Sequence, residues 1–104
     1  MGLFNLFKGK TYSISDMPFK SVLLDCLDMV MTAGVGPQWG DLYKAAKSGE
    51  LNKKQMTDCR DFALWYKALV ASQPNLADSF GESSYNATIN ALGRIADYAG
   101  KQLK

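Results

Sequence analysis

The stretch LNKKQMTDCRDFALWYKALV, residues 51–70, decides the fold. Asn52 can accept a hydrogen bond from the amide of Gln55, and the Gln55 side chain can reach back to the amide of Asn52. Leu51 and Met56 flank that exchange at the spacing of a hydrophobic staple. A capping box and a staple on the same residues mark a helix start. Beyond it Met56, Cys59, Phe62, Ala63, Tyr66, Leu69 and Val70 recur at three and four, so the spacing predicts a helix running to about Ser72, ahead of Pro74. Leu64 falls almost opposite that face and Trp65 on its flank.

Outward from this helix the same period continues. Gly49 is placed to end a shorter helix over about 38–48, with Trp39, Leu42, Tyr43 and Ala46 inside and Pro37 at its first turn. Gly34-Val35-Gly36-Pro37 reads as a turn. Before it, Ser15 or Asp16 is expected to cap a helix that holds Pro18 in its first turn and reaches Ala33. That helix carries Phe19, Val22, Leu23, Cys26, Leu27, Val30 and Ala33 as its apolar face, widened by Leu24 and Met31. So broad an apolar arc predicts a central helix, with a self-association face as the alternative. On the other side of Pro74, residues 75–80 read as a short helical connection anchored by Leu76 and Phe80. Ser83 or Ser84 then caps a last helix to about Gln102, with Tyr85, Ile89, Leu92, Ile95, Ala96, Ala99 and Leu103 facing inward. No stretch alternates long enough to read as a strand. The expectation is an all-α bundle of four principal helices forming one domain over 13–104, preceded by an amphipathic arm over 1–12.

The chemistry available to this chain is narrow. Its 104 residues include no histidine and two cysteines, both on apolar helical faces, and the net charge is +2. Acid–base catalysis near neutral pH, triad-type nucleophiles and most transition-metal sites draw on imidazole or on several convergent thiolates. No catalytic residue, cofactor or metal site is therefore assigned. Gly49 to Gln55 has the letters of the second half of a calcium loop, yet Lys44, Ala46 and Ser48 stand where oxygen ligands belong. Gly34 to Gly40 is glycine-rich but lacks the Lys-Ser/Thr of a phosphate loop. Gly2 opens like a lipidation signal, and Leu6 replaces the required Ser or Thr. With no leading charge and apolar run of a secretory signal, the chain is expected in the cytoplasm with reduced thiols.

Three surfaces remain as candidates. Lys44, Lys47, Lys53, Lys54 and Arg60 gather at one helix junction and suit an acidic protein surface, or nucleic acid as the alternative. Leu64, Trp65 and Ala68, with Ala71, form an apolar tract off the main core face, of the kind that binding hot spots use. Leu3, Phe4, Leu6 and Phe7 share one helical face ahead of Lys8 and Lys10, and such an arm can pack on its own domain, lie on a membrane or associate with a second copy. The expected function is a non-enzymatic protein-binding module of inhibitor, immunity or accessory type, which occludes a protein partner. Membrane attachment through residues 1–10 and nucleic-acid binding are the alternatives.

Overall fold

The computed structural model describes residues 11–73, 75 and 81–104. Leu3, Phe4, Leu6 and Phe7 lie outside the described residues, as do Leu76 and Phe80 of the expected connection. The described chain is an all-α bundle with one small strand pair. In order it forms β1 (Thr11–Ser13), α1 (Lys20–Ala33), a 3-10 turn (Pro37–Trp39), α2 (Gly40–Ser48), β2 (Glu50–Asn52), α3 (Lys53–Ala71) and α4 (Glu82–Gln102). The four principal helices are those the apolar spacing implies.

The start of α3 is built as the sequence requires. The Gln55 amide donates to Asn52 Oδ1 at 2.8 Å and the Asn52 amide donates to Gln55 Oε1 at 2.8 Å, closing the capping box. Leu51 and Met56 are both fully buried. Leu51 is also the centre of β2, whose antiparallel partner is β1, with Tyr12 opposite Leu51 and Thr11 opposite Asn52. Three residues per strand are too few to show an alternating pattern, which is why no strand was legible in the sequence. Thr11 and Tyr12, grouped with the arm on composition, thus belong to the folded domain. The ladder ties the beginning of the described chain to the capped end of α3.

The beginning of α1 differs from expectation. Neither Ser15 nor Asp16 caps it; the helix starts at Lys20, and Phe19 occupies the N-cap in the left-handed region at φ 58°. Pro18 supplies the reason, because it biases Met17 away from the helical region. Residues 14–17 instead close a turn, with the Met17 amide donating to the Ile14 carbonyl at 3.1 Å, and both side chains go into the core. At the other end Gly34 takes the left-handed cap at φ 72°. Gly36 is there for space: a Cβ on it would overlap Val30 Cγ1 and stand 2.7 Å from Trp39 Cδ1. The glycine-rich turn is explained by this close approach of the 3-10 segment to α1. For α4 the helix begins at Glu82 and is capped by Gly81, two to three residues ahead of the expected serine caps.

Packing is dominated by α3 against α4, which run antiparallel. The Tyr85 hydroxyl near the start of α4 donates to the Val70 carbonyl near the end of α3 at 3.1 Å. Phe62, Ala63, Cys59, Leu92, Ile95 and Ala99 fill the seam without exposure, and Leu23, Leu27 and Val30 of α1 lie over it. The small side chains Ala63, Ala91, Ala96 and Ala99 let the helix backbones come close. Leu69, expected in the core face of α3, is instead exposed.

The cap and the strand pair make a joint prediction. Asn52→Ala removes one acceptor and is expected to lower stability by about 1 kcal/mol. Leu51→Ala opens a cavity at a fully buried position and is expected to cost about 2 to 5 kcal/mol. Denaturant midpoints of the two variants test this ordering, and equal midpoints would mean that the strand pair does not anchor the helix start.

Candidate functional site

The basic junction is real in position but largely engaged with its own surroundings. Lys44, Lys47, Lys53 and Lys54 are exposed around the α2–α3 junction. Lys54 Nζ lies 3.1 Å from Asp58 Oδ2, one helical turn on, and Arg60 Nη2 lies 3.3 Å from Asp61 Oδ1. Lys47 stands over the Tyr43 ring at 5.0 Å. Gln55 Nε2 reaches Asp41 Oδ2 at 3.2 Å, so a carboxylate sits between the lysines of α2 and those of α3. Interleaved acidic groups of this kind reduce the field that a patch presents at a distance.

The Leu64 tract divides in two. Leu64 and Ala68 are exposed, with Leu64 at 50%. Trp65 is half-buried and belongs to an aromatic cluster, its ring 5.9 Å from Trp39, 6.1 Å from Phe62 and 6.1 Å from Tyr66. Trp39 meets Phe62 edge-on at 5.4 Å, and Phe62 stacks on Tyr66 at 5.6 Å. Such pairs add to the area each ring buries. Trp65 thus has a packing role whatever its outer edge touches.

A third place emerges only from the tertiary structure. Between α1, α3 and α4 a groove of about 330 Å³ is lined by Val22, Asp25, Cys26 and Met29, by Tyr66 and Val70, and by Ser84, Tyr85 and Thr88. Its floor is apolar, and its polar groups, Asp25, Ser84 and Thr88, stand on opposite sides. Met29 is 54% exposed at its edge, and one turn before Val22 the strained Phe19 is 46% exposed. Leu69 adds a further exposed side chain on the α3 side, one turn from Tyr66. The sequence signal for this groove was the breadth of the apolar arc on α1. Read as the mark of a central helix, that arc exceeds what α3 and α4 cover, and the excess is the groove wall.

The titrating groups behave as buried or bonded ones. Cys26, at the groove floor, has its thiol pushed up to about 11 by burial and then by the Asp25 carboxylate. Burial alone pushes Cys59 up to about 12. The Tyr43 hydroxyl donates to Asp28 Oδ1 at 2.7 Å, and that bond raises its pKa while pinning α2 to α1. Among the described residues no group of three or more His, Cys, Asp or Glu side chains is placed to hold a metal ion. None of the described helices is long and apolar enough to cross a membrane. Comparison of the chain with protein-family models, with curated proteins and with solved structures returns no match.

Two predictions follow from these environments. Both thiols hold their proton more tightly folded than unfolded, so their stabilising contribution is complete below the ordinary value of 9.0 and is lost as pH rises toward about 11 and 12. Melts between pH 8 and 11 are expected to show falling stability, and Cys59→Ser to flatten that slope; a slope unchanged by the substitution would remove the Cys59 thiol as a cause. Trp65→Ala breaks three ring contacts and is expected to cost about 3 kcal/mol in denaturant unfolding. An unchanged midpoint would instead return Trp65 to the list of surface anchors.

Proposed function

We propose that the chain is a non-catalytic protein-binding module that takes an amphipathic helical segment of its partner into the groove between α1, α3 and α4. The observation that carries this reading is the exposed Met29 at the edge of an open apolar floor, with Phe19 exposed one turn before the lining Val22. Helix-in-groove recognition needs that combination: a floor that buries the anchors of the incoming helix, and polar groups at the edges that fix its register. The partner chemistry follows from Asp25 at the groove and Glu82 in the first turn of α4, which favour basic residues beside the apolar anchors.

Phe19 adds its exposed ring to the same reading. A left-handed backbone costs an aromatic residue about 1 kcal/mol or more, and here that cost falls on a residue that is 46% exposed. The burial of Ile14 and Met17 holds the backbone in that conformation, and the same turn leaves the Phe19 ring partly exposed. An inhibitor, immunity or accessory role, in which the bound partner is occluded, suits a small module with no histidine and two buried thiols. The exposed Leu64 and Ala68 lie on α3 away from its core face and outside the groove, so this reading gives them no part in the contact.

The test uses point variants at exposed positions, which leave the core intact. Met29→Asp in the groove rim and Leu64→Asp in the outer tract are compared for capture of host proteins, identified by mass spectrometry, with melts as controls. Partner recovery lost with Met29→Asp and retained with Leu64→Asp is expected, at a cost of about 2 kcal/mol or more in affinity. Recovery indifferent to Met29→Asp would move the site off the groove. Phe19→Gly is expected to raise stability by about 1 kcal/mol while weakening capture; a variant both more stable and fully binding would take Phe19 out of the contact.

A further inference from the structure

Between α3 and α4 a second cleft, of about 360 Å³, shares no lining residue with the groove. Lys67 enters it from α3, while Asn86, Asn90, Gly93 and Asp97 recur at four, three and four along one face of α4. Arg94 stands beside Gly93, and Ile89 is half-buried in the wall. Gly93 lies in the interior of α4, where glycine is unfavourable. Its bare backbone faces the Lys67 ammonium: a Cβ there would stand 3.4 Å from Lys67 Nζ. Two cations thus face the cleft without counter-ions. Among the described residues no carboxylate lies within ion-pair distance of Lys67 Nζ or of the Arg94 guanidinium, although Asp97 lines the same cleft, and neither donates a hydrogen bond. Lys54 and Arg60, by contrast, have Asp58 and Asp61. Lys67 is also half-buried, so it has given up part of its water, and an anion is worth more to it than to a lysine on an open surface.

We propose that this cleft binds a small hydroxylated phosphomonoester, with the phosphate held between Lys67 and Arg94. A phosphomonoester carries a charge of about −1.5 to −2 near pH 7, which the two cations match together, and a guanidinium can hold two of its oxygens at once. The Asn86 and Asn90 amides bring further donors to the same place. A phosphate fills only a part of the cleft, since a water takes about 30 Å³ of liquid volume. The remaining space and the Asp97 carboxylate, an acceptor, suit hydroxyls on the body that carries the phosphate. A long polyanion fits less well. The stripe on α4 meets a carboxylate at either end, Glu82 one turn before Asn86 and Asp97 one turn after Gly93, and successive phosphates of a nucleic-acid strand laid along it would fall on them.

Titration calorimetry of the full chain at about 0.15 M salt, where diffuse attraction is screened, compares ribose 5-phosphate, glucose 6-phosphate, inorganic phosphate, ribose and glutarate. Saturable binding of a sugar phosphate is expected, tighter than that of inorganic phosphate, with ribose and glutarate silent. Lys67→Gln and Arg94→Gln are each expected to weaken it about tenfold or more, the scale of one charge-assisted hydrogen bond. Lys44→Gln, which removes the same charge at the α2–α3 junction, is expected to leave it unchanged. Asp97→Asn is expected to narrow the preference for the sugar phosphate over inorganic phosphate. Arg94 is exposed, so Arg94→Gln keeps the fold and carries the test if Lys67→Gln lowers stability. The proposal is overturned if neither sugar phosphate binds saturably, or if Lys44→Gln weakens binding as much as Arg94→Gln, which would report net charge rather than a site. Glutarate binding as tightly as the sugar phosphates would overturn the phosphate assignment. A single-stranded oligonucleotide that binds more tightly than either sugar phosphate, and is released by Arg94→Gln, would replace the small ligand by nucleic acid.

Discussion

Phe62 is the side chain on which the arrangement of helices depends. Fully buried, it meets Trp39 edge-on and lies face to face with Tyr66, with Trp65 closing the third side. Trp39 comes from the turn that opens α2 and the other three rings from α3, so the cluster fastens α2 to the long helix. Val30 of α1 reaches the same place because Gly36 carries no side chain to hold it away. Dispersion among close-packed rings is additive over many atom pairs, and it is lost together when one ring is truncated. The approach of α1, α2 and α3 is therefore one cooperative contact.

The two ends of the α3–α4 pair are finished differently. At the start of α3, the capping box, the strand pair, the Gln55–Asp41 hydrogen bond and the Tyr98–Ser13 contact satisfy the polar backbone and cover Leu51 and Met56. At the other end, a single hydrogen bond from Tyr85 to Val70 closes the seam, and α1 diverges enough to leave a groove. Met29, Phe19 and Leu69 stand exposed around that end. Apolar surface left uncovered on a domain this small is a standing liability unless something binds there. The proposed partner helix is an answer to that physical demand.

The sequence by itself determined the helical class, the four principal helices and the local signals that bound them. The Asn52–Gln55 exchange and the left-handed glycines at positions 34 and 49 are legible because each depends on residues close in the chain. Tertiary structure decided the rest. Three-residue strands have no pattern to read, since their stability comes from a partner some forty residues away. The left-handed Phe19 violates local preference, and only the burial of Ile14 and Met17 ahead of it explains why the chain turns there. Trp65 looked like a surface residue on a helical wheel, and it is half-buried because Trp39 arrives from another segment. Above all, the apolar arc of α1 was visible in the sequence while the groove was not. Periodicity reports which side chains are apolar, whereas the area they leave uncovered is fixed by how far apart α1, α3 and α4 come to rest.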